Sequence, residues 1–260
     1  CAGPDRGWTS PPVVLSLAAG TALLGIGVYH QLHTPQPALR LRLFDDRMFR
    51  KAALVSLFGL IPVMGTMFLV PLFVQQAQGR DALASGSTTF TESAGVLLTM
   101  QLVGVLYQRI GPGPIIGGGL LGTAAVELLF AGCDAHTSLW TLRLYMFLLG
   151  LAIGAFFIPV VFASLTTLDR ADSAQAAMLG SVVRQSGLAL APTVVTTALI
   201  LGSGPPAAGA TASITAYQHT FLVLAGLAVL VGLYALSLGR SRARPSNSPT
   251  RTRPGPAASS

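Results

Sequence analysis

AAMLGSVVRQSGLALAP (176–192) is an apolar run of helix length with one arginine, Arg184, well inside it. A charge in a bilayer core costs roughly 2.5 to 3.5 kcal/mol on insertion scales, so it rarely faces lipid. Arg184 must therefore look into a protein interior, a watery cavity or a partner. The rest of the chain is suited to supply that interior. Of its 260 residues 52% are hydrophobic and only 10% charged, where a soluble domain carries about 25% charged residues. The composition predicts an all-α membrane protein. The net charge of +7 would also suit nucleic acid. Its distribution argues for no nucleic-acid partner: the basic residues flank apolar runs and fill the tail, and no basic patch with interleaved aromatics appears.

About 20 apolar residues span a bilayer as a helix. Seven such runs are present, over 12–30, 52–75, 87–107, 114–133, 140–166, 175–201 and 215–238, predicting seven transmembrane helices. The first is short and rich in glycine (Gly20, Gly25, Gly27). Pro62 and Pro71, Pro159 and Pro192 fall inside later runs. Membrane bundles tolerate them because neighbouring groups satisfy the freed carbonyls.

Lys and Arg set the orientation. One face carries Arg40, Arg42, Arg47, Arg50, Lys51, Arg109, Arg170 and the arginines of the tail; the other carries Arg6, Arg80 and Arg143. The alternation holds over all seven runs. It predicts a multi-pass protein of the cell (plasma) membrane, with the chain start outside and the C-terminal tail cytoplasmic. Trp8, Trp140 and Tyr217 then fall at the outer interface, and Tyr29 and Tyr107 at the inner one.

Four segments follow. Residues 1–36 are an outer loop and the first span. PALRLRLFDDRMFRK (37–51) is a basic amphipathic cytoplasmic connector that fixes topology, with lipid-headgroup binding as the sharper alternative. Residues 52–238 hold six spans, and 239–260 are a disordered basic tail. His30 and His33 have helical spacing but lack further ligands for a metal. Cys1 and Cys133 read as a chain-start residue and a small apolar packer more readily than as a disulfide. The chain opens on Cys1 within a loop, without the basic segment and cleavage site of a secretory signal. It reads as the C-terminal part of something longer.

The six spans form two sets of three, 52–133 and 140–238. Each set opens on a helix with a late proline, LVPLFVQQ (69–76) and FIPVVFAS (157–164). Odd-numbered sets have opposite topology, the pattern of an inverted repeat in secondary transporters. Gly118 with Gly122, and Gly150 with Gly154, suit close helix packing.

An ionisable residue in a span is a functional hypothesis by default. Glu92, in STTFTES (87–93), reads two ways: a proton- or cation-binding carboxylate lining a wet cavity, or an interfacial acid held by neighbouring hydroxyls. Glu127, in the apolar GTAAVELLFAG (122–132), reads as structural. Arg184 reads as an inner-half gate or anchor, with lining of a substrate path as the alternative. Gln101, Gln185, Gln75 and Gln76 add neutral polar groups. No catalytic cluster, metal-ligand set or phosphate loop is visible, so neither an enzyme nor a bound cofactor is expected. Lys51, the sole lysine, sits at a helix boundary, too far from mid-span for a retinal-type Schiff base.

Six stretches together resemble the second half of the fourteen-helix drug:proton antiporters of the major facilitator superfamily (EmrB/QacA type). They are GWTSP (7–11), PALRLRLFDDRMFR (37–50), LVPLFVQQAQG (69–79), QRIGP (108–112), GLAIGAFFIPV (150–160) and SVVRQSGLALA (181–191). The resemblance implies that 12–30 is the last of two extra central helices, and that 52–238 is the C-terminal six-helix domain. It implies that the helices carrying Glu92, Gln101, Arg184 and Gln185 line the central cavity, while that carrying Glu127 is peripheral. The chain departs from the family at Gln108, where an acidic residue is usual, and at Gly113 and Pro114, where a further basic residue is. No charged latch is therefore expected there. The N-terminal half is absent, and the chain alone should not transport.

The expectation is the C-terminal part of a proton-coupled secondary active exporter of drugs or metabolites working by alternating access. Its substrate pathway or proton pathway would run by Glu92, Arg184, Gln185 and Gln101. Its partners would be a small lipophilic or cationic molecule, protons, the lipid bilayer and the missing N-terminal half. The alternative is a non-transporting membrane scaffold or sensor derived from a transporter half.

Overall fold

The structure, a computed structural model, describes residues 15, 18–20, 22–23, 25–26, 47–165, 170–203 and 213–236. The outer loop, most of the first span, His30, His33, the connector up to residue 46, Cys1, Trp8, Tyr29 and the tail 239–260 lie outside the described residues. The described positions between 15 and 26 are helical.

Six α-helices follow: α1 (Arg47–Leu72), α2 (Ala82–Ile110), α3 (Pro112–Ala131), α4 (Leu139–Leu165), α5 (Arg170–Ser203) and α6 (Ile214–Leu236). They track the apolar runs, with ends moved by a few residues. The largest shifts are at starts: α1 begins five residues earlier than 52, so Arg47, Arg50 and Lys51 are helical, α2 begins at Ala82 instead of 87, and α5 at Arg170 instead of 175. Pro62 and Pro71 both lie inside α1. Just past Pro71 the helix widens into a π-turn, Phe73–Ala77. The turn closes with Gln78 N donating to Phe73 O and Arg80 N to Val74 O, around Gly79 at φ +63°. That left-handed geometry favours glycine.

Three helices start at the same end, and each has a side-chain cap. Asp81 Oδ1 accepts from Ala84 N at 2.9 Å, Ser138 Oγ from Trp140 N at 3.3 Å, and Ser213 Oγ from Ala216 N at 3.3 Å. Each satisfies one of the orphan N–H groups of a helix start.

Among the described residues five segments are long and apolar enough to cross a membrane: Phe49–Ala77, Gly113–Ala131, Leu139–Phe157, Ala177–Ser203 and Ile214–Leu236. The seven runs therefore reduce to five by this measure. The run 12–30 is described at scattered positions only. The run 87–107 lies in α2, which is 29 residues long, about 43 Å at 1.5 Å per residue. It is long enough to cross but carries Ser, Thr and Glu92 in its first three turns. Several of those hydroxyls bond back to the helix itself: Thr88 to Ala84 O at 2.8 Å, and Thr89 to Gly86 O at 3.0 Å.

The main packing partners are α2 with α4, α1 with α5, α3 with both α4 and α6, and α1 with α6. Exchanging α1 with α4, α2 with α5 and α3 with α6 maps each of these pairs onto another or onto itself. Glycines make the closest approaches. Gly95 faces the backbone of Phe147, and Gly150 the backbone of Glu92; Gly154 faces Thr99, and Gly187 faces Leu57 O. Lipid is as apolar as a leucine face, so helices gain from such backbone approach more than from apolar burial. Gly150 and Gly154 pack as the sequence suggests. Gly118 does not: its Cβ direction is open, while Gly117 meets Leu236 and Gly119 meets Phe156 and Ala152. One residue is about 100° of helix, enough to move the contact from Gly118 to its neighbours.

Contact order gives the directions. Along α2 and α4, Thr91 meets Arg143 and Thr99 meets Leu151, so these two run parallel. Along α3 and α6, Phe130 stacks on Phe221 at 5.2 Å while Gly117 meets Leu236, so these run antiparallel. The core between α1, α3, α4 and α6 holds Leu60, Phe73, Leu120, Phe130, Leu149, Phe156, Tyr217 and Phe221.

Candidate functional site

Glu92 sits on the stripe that α2 turns towards α4. Ser85, Thr88, Glu92, Gly95, Thr99 and Val103 recur at three- or four-residue spacing, and all are buried. That spacing keeps them on one face of a helix. Thr91 Oγ1 donates to Arg143 O at 3.0 Å and Thr99 Oγ1 to Leu151 O at 3.1 Å. Glu92 is 7% exposed, and none of the described hydroxyls around it donates to its carboxyl. Gln101 is exposed. It lies nine residues on, half a turn away on α2, and so faces the other side of the helix.

On α5, Arg184 is half-buried and Gln185 exposed. Arg184 Nη1 lies 3.9 Å from the position a Cβ on Gly180 would take. The guanidinium is thus laid back one turn towards the helix start, as helical side chains point and as long basic side chains do when they reach for an interface. No ion pair joins it to Glu92; α2 and α5 flank the central helices and are not major packing partners of each other. Within the described residues the four sequence candidates are therefore spread over different faces of two helices.

A buried pair was less legible. Glu127 and Thr66 are both fully buried, and Thr66 Oγ1 donates to Glu127 Oε1 at 2.8 Å. The other carboxyl oxygen, Oε2, is buried without a partner. Thr66, with Ser56 one of two hydroxyls in the apolar α1, is the signal that finds it. At the capped end, the end of α1 is a hub. Gln75 Nε2 donates to Ser85 Oγ at 3.2 Å, and Gln76 Oε1 accepts from Tyr217 Oη at 3.1 Å. Gln78 Nε2 donates to Thr137 O at 2.9 Å and Asp134 O at 3.4 Å. Gln218 Nε2 donates to Cys133 O at 3.0 Å. Arg143 lies over the Trp140 ring at 4.8 Å and donates to Ser87 Oγ at 3.0 Å.

In the α3–α4 loop, the Thr137 hydroxyl and the His136 N–H hold the Asp134 carboxyl below its ordinary range. Burial pushes the Cys133 thiol up to about 11, and Cys133 is free, in keeping with a packing residue. A groove of about 470 Å³ between α5 and α6 is lined by Thr193, Thr197, Leu201 and His219 among others. Among the described residues no group of three His, Cys, Asp or Glu side chains converges on a metal position.

No protein-family model matches the chain. Curated relatives do. The MFS-type transporter YhcA of Bacillus subtilis is 24% identical over 75% of this chain and 37% of its own length. The MFS-type transporter YcnB of the same organism is 24% identical over 94% of this chain and 52% of its own. The multidrug resistance protein B homolog of Mycobacterium tuberculosis (strain H37Rv) is 28% identical over 71% of this chain and 35% of its own. The chain thus spans about a third to a half of these relatives. Its relatives are transporters, multidrug ones among them. With five apolar spans among its described residues, the chain is a multi-pass membrane protein.

Proposed function

We propose that the chain is the C-terminal part of a secondary active exporter of the fourteen-helix drug:proton antiporter type. The exporter moves small lipophilic or cationic molecules out of the cell by alternating access. The observation that carries the reading is the similarity to MFS-type transporters over most of the chain. The packing supports it: the pairs exchange under α1/α4, α2/α5 and α3/α6, as expected of two inverted triplets.

In this reading α2 crosses the membrane as the sixth span of the described set. Its polar stripe is covered by α4, and Phe90, Leu97 and Leu98 lie on the exposed side with Gln101. The capped end lies outside and the starts of α1 and α5 lie at the cytoplasmic face. Arg184 then reaches towards the cytoplasm as an inner-half anchor. Glu92 carries the coupling proton from the α2–α4 seam, and Gln101 and Gln185 present neutral hydrogen-bonding groups to the substrate path beside the N-terminal half. The similarity to transporters does not favour a scaffold.

The test is export from an efflux-deficient host carrying the full-length gene. Wild type should lower the accumulation of lipophilic cations, and Glu92→Gln should remove the pH dependence of that export. Unchanged export and unchanged pH dependence in Glu92→Gln would take Glu92 out of the mechanism. No export by wild type of any lipophilic cation tried would remove the substrate class.

A further inference from the structure

The geometry points to Glu127 as a proton-binding site in the seam between α1 and α3, separate from Glu92. Its carboxyl accepts the Thr66 hydroxyl and so latches α3 to α1. Glu127 is wholly buried, and the seam offers it one donor, the Thr66 hydroxyl on Oε1 at 2.8 Å. Its second oxygen is buried and unpartnered. An ionised carboxylate in that position would be a buried charge without a counter-charge. A neutral acid leaves one unmade hydrogen bond, a smaller cost. The difference favours the protonated form.

The surroundings offer no charge to reverse that balance. Burial and the Thr66 hydroxyl are the influences on the carboxyl. From α1 the neighbours of Thr66 are Gly65 and Met67, both uncharged. Tyr217 of α6 gives its hydroxyl to Gln76, and Tyr145 of α4 packs edge-on to Phe130, one turn along α3. No described Lys, Arg, His, Asp or Glu faces Glu127 from α1, α4 or α6. Thr123, one turn back on α3, bonds its own helix at Gly119 O.

The site links two helices of different standing. α1 carries the glutamine hub at the capped end, and α3 packs between α4 and α6. A shift of α1 along α3 would part Thr66 from Glu127 and open the carboxyl to exchange. Proton occupancy and the α1–α3 packing are therefore coupled.

The experiment is infrared spectroscopy of the full-length protein in lipid nanodiscs at neutral pH, reading the C=O stretch of protonated carboxylic acids. Wild type should show such a band, Glu127→Gln should lose it, and Thr66→Val should shift it to higher frequency as the hydrogen bond is lost. Glu92→Gln should leave this component in place. The unfolding midpoint in detergent adds a second readout. Wild type and Glu127→Gln should differ in how that midpoint depends on pH. A spectrum unchanged in Glu127→Gln, or a band lost in Glu92→Gln instead, would overturn the inference. Because neither readout needs transport, failure here is distinct from failure of the exporter reading.

Discussion

The backbone oxygen of Glu92 lies under Gly150, so close that a Cβ on Gly150 would collide with it. Two turns of α2 rest on this contact and on its mirror, in which Gly95 faces the backbone of Phe147 and Leu151. Overpacking a tight contact costs typically 1–3 kcal/mol, and here the obstacle is backbone, which cannot rotate away. Gly150→Leu should therefore lower the unfolding midpoint in detergent and the yield of folded protein. Gly118→Leu, whose side chain would enter open space, should leave both unchanged. Equal loss in the two variants would show that bulk on any helix, and not the α2–α4 crossing, is what the bundle rejects.

The cap of α2 is open to a simpler test. Asp81 Oδ1 holds the Ala84 N–H, and loss of such a cap costs about 1 kcal/mol. Asp81→Ala should speed amide exchange through the first turn of α2, and Asp81→Ser should restore most of the protection. Exchange that is the same in wild type and Asp81→Ala would mean that the first turn is held by packing alone.

Gln78 ties the end of α1 to the α3–α4 loop through two carbonyl oxygens. Gln78→Ala removes those bonds, each worth about 1 kcal/mol. Gln78→Glu is predicted to be worse at neutral pH, because a carboxylate cannot donate and is set against acceptors. Lowering the pH should then recover stability in Gln78→Glu by protonating it, and not in Gln78→Ala. Thermal unfolding of the two variants across pH reads this directly; identical pH profiles would remove Gln78 as the tie.

The seven-run reading found every helix the structure describes because apolar length is a strong signal. The ends were harder. Asp81, Ser138 and Ser213 are caps that sit just before the runs, and hydropathy places a boundary where polarity ends, several residues into α2. Its first turns are polar yet helical because Thr88 and Thr89 bond back to their own helix and because α4 covers the stripe; neither is visible in a local window. The candidate site shows the same limit. Glu92 and Arg184 stood out as charges in apolar runs, but whether two charges meet depends on which helices neighbour each other, and α2 and α5 do not pack as partners. Glu127 looked structural from its apolar flanks. The partner that gives it chemistry, Thr66, is 61 residues away, and only the α1–α3 contact brings the two together.

Asp134 supplies the pH-dependent prediction. Its Oδ1 accepts from the His136 N–H at 2.9 Å and the Thr137 hydroxyl at 3.0 Å, and that hydroxyl in turn accepts from the Asp134 N–H at 2.9 Å. The Thr137 hydroxyl is the largest influence holding the carboxyl below its usual value of 3.8. A depressed folded value means that these bonds contribute fully above the ordinary aspartate range and fade as pH falls through the lower folded value. The group is fully exposed, so the effect stays local to the turn that presents Thr137 O and Asp134 O to Gln78. Protection of the His136 amide, corrected for intrinsic exchange, should be constant from neutral pH down to about 4 and then fall in wild type. Asp134→Ala should show the low value at every pH. If Asp134→Ala keeps wild-type protection at neutral pH, the carboxylate does not order the turn, and the loop is held by Gln78 and Gln218 from the neighbouring helices alone.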